Sequence, residues 1–354
     1  MKLLITGGAG FIGSQLVRWC LSQPDLQVIN VDKLTYAGNL AGIRDLLSHP
    51  RHVFVKADIG DAKLIRSLFA EQRPDAVLHL AAESHVDRSI NDPGLFVQTN
   101  IVGTFNLLEN ARAYWLERRA AAESFRFLQV STDEVYGSLE PGESAFTEST
   151  AYAPRSPYSA SKAAADHLAK AWFHTYGLPV IVTNCPNNYG PGQFPEKLIP
   201  LAIIKALRGE TIPIYGQGEN IRDWLYVTDH VRALMEVLGK GRVGETYNIG
   251  ASCEVRNLDL IRLLCSILDE LRPRPDGRPY ACQIGLVADR PGHDQRYGIA
   301  AAKVRNELGW QPVETLSTGL RQTVQWYLDN EAWWQAILAE KYQLQRLGTL
   351  TPAV

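Results

Sequence analysis

A chain of 354 residues that is 45% hydrophobic can bury a large core, and it holds two domains or one domain with an added lobe. Its formal charge of −2, with Lys and Arg spread along the sequence, supplies no basic field and excludes nucleic acid as an expected partner. Cys20, Cys185, Cys253, Cys265 and Cys282 are odd in number, without C-x-x-C spacing or a nearby His pattern, which excludes a disulfide framework and any expected metal site.

The chain opens directly into Lys2-Leu3-Leu4-Ile5, and no run approaches the roughly 18 apolar residues of a membrane span, so no membrane partner and a cytoplasmic setting are expected. Lys2 to Thr6 reads as a strand, and Gly7-Gly8-Ala9-Gly10-Phe11-Ile12-Gly13 turns it into a helix over Phe11 to Ser22. Glycines three apart at such a turn let the backbone approach a pyrophosphate, and the helix N-terminus offers unpaired N–H groups to the phosphates. The second strand, Gln27 to Val31, ends at Asp32, 19 residues after Gly13, where a carboxylate can bond the adenosine ribose hydroxyls. Asp32 also repels a 2′-phosphate, so NAD is the expected cofactor; the neighbouring Lys33 leaves NADP as the alternative.

Further strands are expected at Val53 to Lys56, Ala76 to Leu80, Phe125 to Ser131 and Val180 to Asn184, with helical spacing over Ala62 to Glu71, Val97 to Trp115 and Ser159 to Tyr176. Asp58-Ile59, after the third strand, is placed for the adenine, and Leu80-Ala81-Ala82, after the fourth, for the nicotinamide side. Strands alternating with crossover helices predict an α/β fold, a doubly wound Rossmann-type parallel sheet with a smaller, mostly C-terminal substrate-binding lobe. Past about Asn188 the pattern loosens at Gly190-Pro191-Gly192-Gln193-Phe194-Pro195, and Pro and Gly recur from Arg272 to Pro279. The expected division is a cofactor domain over 1–188 with about 222–250, a lobe over 189–221 with about 251–340, and a poorly ordered tail over 343–354. No internal repeat is present.

The chemistry concentrates at two places. Tyr158 and Lys162, four apart, project from one face of a helix, where a Lys ammonium and a bound cofactor's positive charge favour the phenolate and make Tyr158 a base for a hydroxyl. Thr132-Asp133-Glu134 ends the preceding strand, at the carboxyl edge where ligands sit in an open α/β sheet. Two adjacent carboxyls can hold opposite protonation states, an acid and a base together, and so imply proton chemistry beyond hydride transfer. A solvated turn is the plain alternative for such a pair.

The glycine turn, Ser131-Thr132-Asp133-Glu134-Val135-Tyr136-Gly137 and Tyr158-Ser159-Ala160-Ser161-Lys162 resemble the extended short-chain dehydrogenase/reductase superfamily and, within it, the dTDP-glucose 4,6-dehydratase family. The likeness extends through Ala81-Ala82-Glu83-Ser84-His85-Val86-Asp87-Arg88-Ser89, Asn187-Asn188-Tyr189-Gly190-Pro191 and Phe194-Pro195-Glu196-Lys197-Leu198-Ile199-Pro200. It continues in Arg222-Asp223-Trp224-Leu225-Tyr226-Val227 and Asp289-Arg290-Pro291-Gly292-His293-Asp294, covering roughly residues 1 to 330. Pro186 departs from the pattern, which usually has Ser before the Asn pair, and this bears on local backbone bonding beside the cofactor more than on the chemistry.

The resemblance implies oxidation at C4 of a nucleotide-linked glucose, loss of water across C5 and C6, and hydride return to C6, with NAD retained and regenerated. Its catalytic set is Thr132, Asp133, Glu134, Tyr158 and Lys162, with Tyr158 as base at the C4 hydroxyl, Glu134 at C5 and Asp133 on the leaving hydroxyl. The cofactor would contact Gly7, Gly10, Phe11, Ile12, Gly13, Asp32, Lys33, Leu34, Thr35, Asp58, Ile59, Leu80, Ala81, Ala82, Ser84, Thr99, Tyr158, Lys162 and Asn188. The nucleoside diphosphate sugar would meet Ser84, Thr132, Asn187, Lys197, Leu198, Pro213, Ile214, Tyr215, Arg222, Asn257, Asp289, Arg290, His293 and Asp294. Related enzymes pair two helices of each subunit, so the resemblance also implies a homodimer through Val97 to Trp115 and Ser159 to Tyr176. Two other functions stay open: a sugar-nucleotide C4 epimerase, which needs no acid and base at C5 and C6, and a non-catalytic NAD-sensing protein on the same fold. Spacing does not separate thymidine from uridine nucleotides, which differ by a methyl worth about 1–3 kcal/mol in an apolar pocket.

Overall fold

The computed structural model describes residues 1–118, 125–289, 293–340, 342 and 344. Twelve strands are present among them: β1 Lys2–Thr6, β2 Gln27–Asp32, β3 His52–Lys56, β4 Ala76–His79, β5 Arg126–Thr132, β6 Val180–Cys185, β7 Asn187–Tyr189, β8 Ile212–Tyr215, β9 Ile221–Tyr226, β10 Thr246–Asn248, β11 Glu254–Arg256 and β12 Ile284–Val287. Seven of them form one sheet in the order β10-β6-β5-β4-β1-β2-β3, and every pairing in it is parallel. The doubly wound α/β sheet expected from the alternation is therefore the fold.

A parallel sheet covered on both faces needs strands that are apolar throughout, which is why Leu3-Leu4-Ile5 reads as a run and not as an alternation. All three are fully buried, but on different faces. Leu3 and Ile5 join a core with Leu16, Val17 and Cys20 of the Phe11–Ser22 helix and Leu234 and Val237 of the Val227–Lys240 helix. Leu4 joins the opposite core with Phe69, Leu107, Leu108 and Ala169. Each such side chain contributes about 2 kcal/mol by leaving water.

The second lobe has its own core, where Ile203 and Ile204 of the Leu198–Leu207 helix meet Leu260, Leu264 and Leu268 of the Asn257–Leu271 helix and Leu320 and Val324 of the Leu316–Asp329 helix. Its strands form a three-stranded sheet, β11-β9-β7, and a parallel pair, β12-β8. The chain then returns to the main sheet, since β10 pairs with β6 at its edge.

One expected helix is built differently. Val97 to Trp115 is a wider, π-helical turn over Val97–Gly103 followed by an α-helix over Thr104–Arg118. The extra residue in the turn brings both Thr99 and Asn100 inward, where the Lys33 ammonium donates to Thr99 Oγ1 at 3.2 Å and Asn100 Nδ2 donates to Ser161 Oγ at 2.8 Å. Such interruptions are frequent at functional sites. Of the expected tail over 343–354, all but Leu344 lies outside the described residues.

Candidate active site

The strand order reverses beside β1, which has β2 on one side and β4 on the other, and ligands bind at the carboxyl ends of strands flanking such a reversal. A cavity of about 690 Å³ opens there. Gly7, Gly10, Phe11, Ile12, Gly13, Asp32, Lys33, Thr35, Ile59, Leu80, Ala81, Ala82, Ser84, Thr99 and Asn188 all line it.

The glycine turn is built for close approach. Gly7 has φ of +75°, and a Cβ on Gly13 would stand 2.1 Å from the Gly7 carbonyl oxygen, so both positions exclude a side chain. Gly10 caps the Phe11–Ser22 helix with no side-chain acceptor, leaving its leading N–H groups to face the cavity. Asp32 is fixed by two backbone donors, Ala9 N at 2.9 Å and Leu34 N at 2.8 Å. Thr6 Oγ1 bonds His79 Nδ1 at 2.7 Å and accepts from Ala81 N at 3.2 Å, which ties the end of β1 to the segment after β4. A turn without side chains, uncapped amides and a fixed carboxylate suit a dinucleotide. Of the expected cofactor residues, Leu34 and Asp58 stand outside the lining. Leu34 contributes its N–H to Asp32, and Asp58 accepts from Gly60 N at 2.8 Å and pairs with Lys33 at 3.4 Å.

All five expected catalytic residues line the same cavity. Thr132 ends β5 and starts the Asp133–Tyr136 turn, its hydroxyl accepting from Glu134 N at 3.3 Å and donating to Asp133 Oδ1 at 3.3 Å. Asp133 is 1% exposed, and its Oδ2 is buried with no hydrogen-bond partner among the described residues. Burial first, then the nearby Glu134 and Asp223 carboxyls, hold its pKa well above the usual carboxylate range. Glu134 is only half-buried. Two neighbouring carboxyls in one cavity thus sit in unlike surroundings, the arrangement that separates an acid from a base.

Tyr158 and Lys162 lie in the first turns of the Pro157–Tyr176 helix, which opens with a capping box between Ser156 and Ser159 and Pro157 at its first position. Burial, chiefly, pushes the Tyr158 phenol up, while its hydrogen bond with Thr132 acts the other way. Burial lowers the Lys162 pKa, and its ammonium donates to the Val130 carbonyl at 2.8 Å.

The expected substrate residues separate into groups. Ser84, Thr132, Asn187 and Lys197 line the main cavity, and Lys197 Nζ donates to Ser84 O at 3.2 Å. Pro213 and Tyr215 line an adjoining cavity of about 300 Å³ with His85 and Asp87; Glu196 lines both. Ile214 does not join that wall: strand alternation turns it into the lobe's core, 1% exposed. Leu198 starts the helix after Lys197, and Asn257 starts the Asn257–Leu271 helix; neither lines either of these two cavities. Arg222, expected to meet the nucleoside diphosphate sugar, is 5% exposed, donates to Asp294 O at 2.8 Å and Ile221 O at 2.7 Å, and lies 4.3 Å from the Tyr297 ring centre. Those carbonyls brace it against the loop before Tyr297, away from the lining of either cavity. His293 Nδ1 pairs with Asp289 Oδ1 at 2.6 Å beside the Tyr215 ring, and Asp294 accepts from the Tyr297 hydroxyl. Arg290 lies outside the described residues.

Sequence reasoning missed Glu83 and Glu196, two buried carboxyls on the main cavity, although both stand inside the motifs that carried the resemblance. Burial raises both, and Arg88 Nε donates to Glu196 Oε2 at 2.9 Å. Pro186 also lines the cavity; its carbonyl accepts from Asn188 Nδ2 at 3.0 Å, so Asn188 stays anchored although Pro186 has no N–H.

A glycine turn at a sheet reversal, a Tyr–Lys helix and a carboxyl pair in one cavity define an NAD-dependent enzyme of the extended short-chain dehydrogenase/reductase class. The chain matches the GDP-mannose 4,6 dehydratase family over residues 4–323. It is 58% identical over 351 residues to a dTDP-glucose 4,6-dehydratase of Neisseria meningitidis serogroup B, covering 98% of this chain and 99% of the relative. A dTDP-glucose 4,6-dehydratase of Escherichia coli is 56% identical over 361 residues, with coverage of 98% and 99%. Among solved structures, the dTDP-glucose 4,6-dehydratase of Streptomyces venezuelae with NAD bound superposes with a TM-score of 0.86 at 44% identity, over 95% of this chain and 100% of that one. A UDP-glucose 4-epimerase of Thermotoga maritima superposes with a TM-score of 0.82 at 30% identity, over 94% and 100%. The chain belongs to the dTDP-glucose 4,6-dehydratase family.

Proposed function

We propose that the chain converts dTDP-glucose to dTDP-4-keto-6-deoxyglucose and water through oxidation at C4, elimination across C5 and C6, and reduction at C6. When bound, NAD supplies the acceptor for the C4 hydride and gives the same hydride to C6, so it ends each cycle unchanged. The cradle of Gly7, Gly10, Gly13 and Asp32 would hold it.

Tyr158, bonded to Thr132 and one helical turn before Lys162, takes the proton of the C4 hydroxyl. The C4 ketone makes the C5 hydrogen acidic, and Glu134 removes it as a proton. The C6–O bond then breaks, and Asp133 gives its proton to the departing oxygen, which leaves as water. Glu134, which holds the C5 proton and can exchange it with solvent, returns a proton to C5, and Asp133 regains its own as Tyr158 gives up the C4 hydroxyl proton through solvent. Lys197 and Asn187 hold the diphosphate end, and Pro213 and Tyr215 wall the base.

The observation that carries this reading is the Asp133 carboxyl: it lines the cavity, one of its oxygens is buried and lacks a partner among the described residues, and burial raises its pKa well above the usual carboxylate range. A C4 epimerase has no use for such an acid. Substrate deuterated at C4 tests the cycle. Label recovered at C6 is expected, and label kept at C4 or lost to solvent contradicts it.

A homodimer is the proposed assembly. Val97, Val102, Phe105 and Tyr176 are apolar or aromatic side chains more than 40% exposed on the two helical segments that would form its interface. Sedimentation as a monomer at micromolar concentration would contradict it. A cytoplasmic setting suits five cysteines that are all free, and no helix among the described residues is long and apolar enough to cross a membrane. Secretion of the protein into an oxidising compartment would contradict that setting.

A further inference from the structure

One buried carboxyl beside the site has no part in the chemistry above. Asp166 is fully buried on the Pro157–Tyr176 helix, four residues after Lys162, so the two share the inner face of that helix. Three side chains from outside the helix donate to it: Ser131 Oγ at 2.5 Å, Tyr152 OH at 3.2 Å and Gln129 Nε2 at 3.4 Å. Ser131 and Gln129 belong to β5, the strand that ends in Thr132. The Tyr152 hydroxyl accepts in turn from Asn184 Nδ2 of β6 at 3.3 Å. Asp166 is thereby fixed to two strands at the floor of the active site.

Lys162 requires a partner of this kind, because an ammonium out of water is costly unless its charge is compensated. Its hydrogen bond goes to Val130 O, a neutral carbonyl. Burial lowers the Lys162 pKa, and of the groups that raise it Asp166 comes first, ahead of Cys185. Lys162 is likewise the foremost charge opposing the rise that burial imposes on Asp166. The other groups facing this pair carry little compensating charge at neutral pH. The Cys185 thiol is pushed up to about 12 and stays neutral, the His79 imidazole is lowered to about 3 and stays neutral, and the Tyr136 phenol is raised. Lys170, one turn further on, lowers the Asp166 pKa and so favours its charged form.

We propose that Asp166 is a positioning residue for the reaction, supplying the buried counter-charge for the Lys162 ammonium from a place that Ser131 fixes to the strand that carries Thr132. Without that carboxylate the lysine gives up its proton more readily, and Tyr158 loses the neighbouring charge that stabilises its phenolate. The inference rests on the roles proposed for Tyr158 and Lys162.

The test is the pH profile of C4 oxidation, followed as cofactor reduction in a single turnover of holoenzyme with dTDP-glucose. Asp166→Asn should move the alkaline limb to lower pH by about one unit, with substrate KM changed less than about twofold, and Asp166→Glu should restore most of the wild-type profile. A folded Asp166→Asn with an alkaline limb coincident with wild type overturns the inference. Ser131→Ala gives a second arm should the Asn variant fail to fold. Losing its closest donor, Asp166 keeps its proton to higher pH, so the acid limb should rise, and an unmoved acid limb overturns the inference as well. Wild-type protein that never oxidises the substrate would instead overturn the proposed function, and the inference with it.

Discussion

The Thr132 hydroxyl donates to Asp133 Oδ1 at 3.3 Å while the second oxygen of that carboxyl, Oδ2, is buried with no partner among the described residues. One short chain segment therefore both sets the Tyr158 environment and orients an acid. Burial and the Glu134 and Asp223 carboxyls raise the pKa of that acid, the direction that its proposed role as a proton donor requires.

Asp133→Asn should oxidise substrate at C4 at close to the wild-type rate and slow the loss of water by about 10²–10⁴-fold, the usual worth of a positioned acid. Rapid-mixing absorbance would show reduced cofactor accumulating before product. Elimination at the wild-type rate would remove Asp133 from the role of acid.

Glu134→Gln should bind substrate and oxidise C4 but block the C5 step. In heavy water, the wild-type product should carry solvent deuterium at C5, whereas substrate recovered from the variant should carry none. Normal turnover by this variant would sink the assignment of Glu134.

Asp32 is held by Ala9 N and Leu34 N, facing the cofactor cavity, so its loss removes a charged hydrogen-bond acceptor worth about 1.5–3 kcal/mol. Asp32→Ala should weaken NAD binding by about 10–100-fold and narrow the preference over NADP. Titration calorimetry on the cofactor-free protein measures both, and an unchanged NAD affinity would move the ribose contact elsewhere.

Much of this site was legible before the fold was known, and the reasons differ by element. The Phe11–Ser22 helix falls where the glycine turn and apolar spacing place it, because propensity, glycine geometry and burial agree there. The five residues proposed as catalytic line one cavity because a parallel sheet gathers the ends of its strands on one edge. Arg222 and Ile214 were less legible, since their direction depends on packing within the second lobe: Arg222 turns to backbone carbonyls near Tyr297, and Ile214 to the core. The π-helical turn at Val97–Gly103 left no periodic signal, because it arises from tertiary partners of Thr99 and Asn100. Asp166 carried a local signal, a charge one helical turn beyond Lys162, but only burial separates it from a solvated surface acid.

Asp223 gives a stability test. Burial raises its pKa from 3.8 to about 6, so the folded state holds this proton more tightly than the unfolded state. The stabilisation is complete below about pH 4 and is lost as pH rises through about 6, a change of roughly 3 kcal/mol for a shift of that size. Asp223→Asn cannot titrate at this position. The stability of wild type relative to the variant, from urea unfolding at pH 4 and pH 7, should therefore fall with rising pH, and a flat difference would contradict the burial effect.

The central claim is tested most directly by the mass of the product formed from dTDP-glucose. Incubation with the NAD-loaded protein should yield a nucleotide sugar lighter by one water, without net accumulation of reduced cofactor. A product of unchanged mass with an inverted C4 centre would contradict the account and make the chain an epimerase.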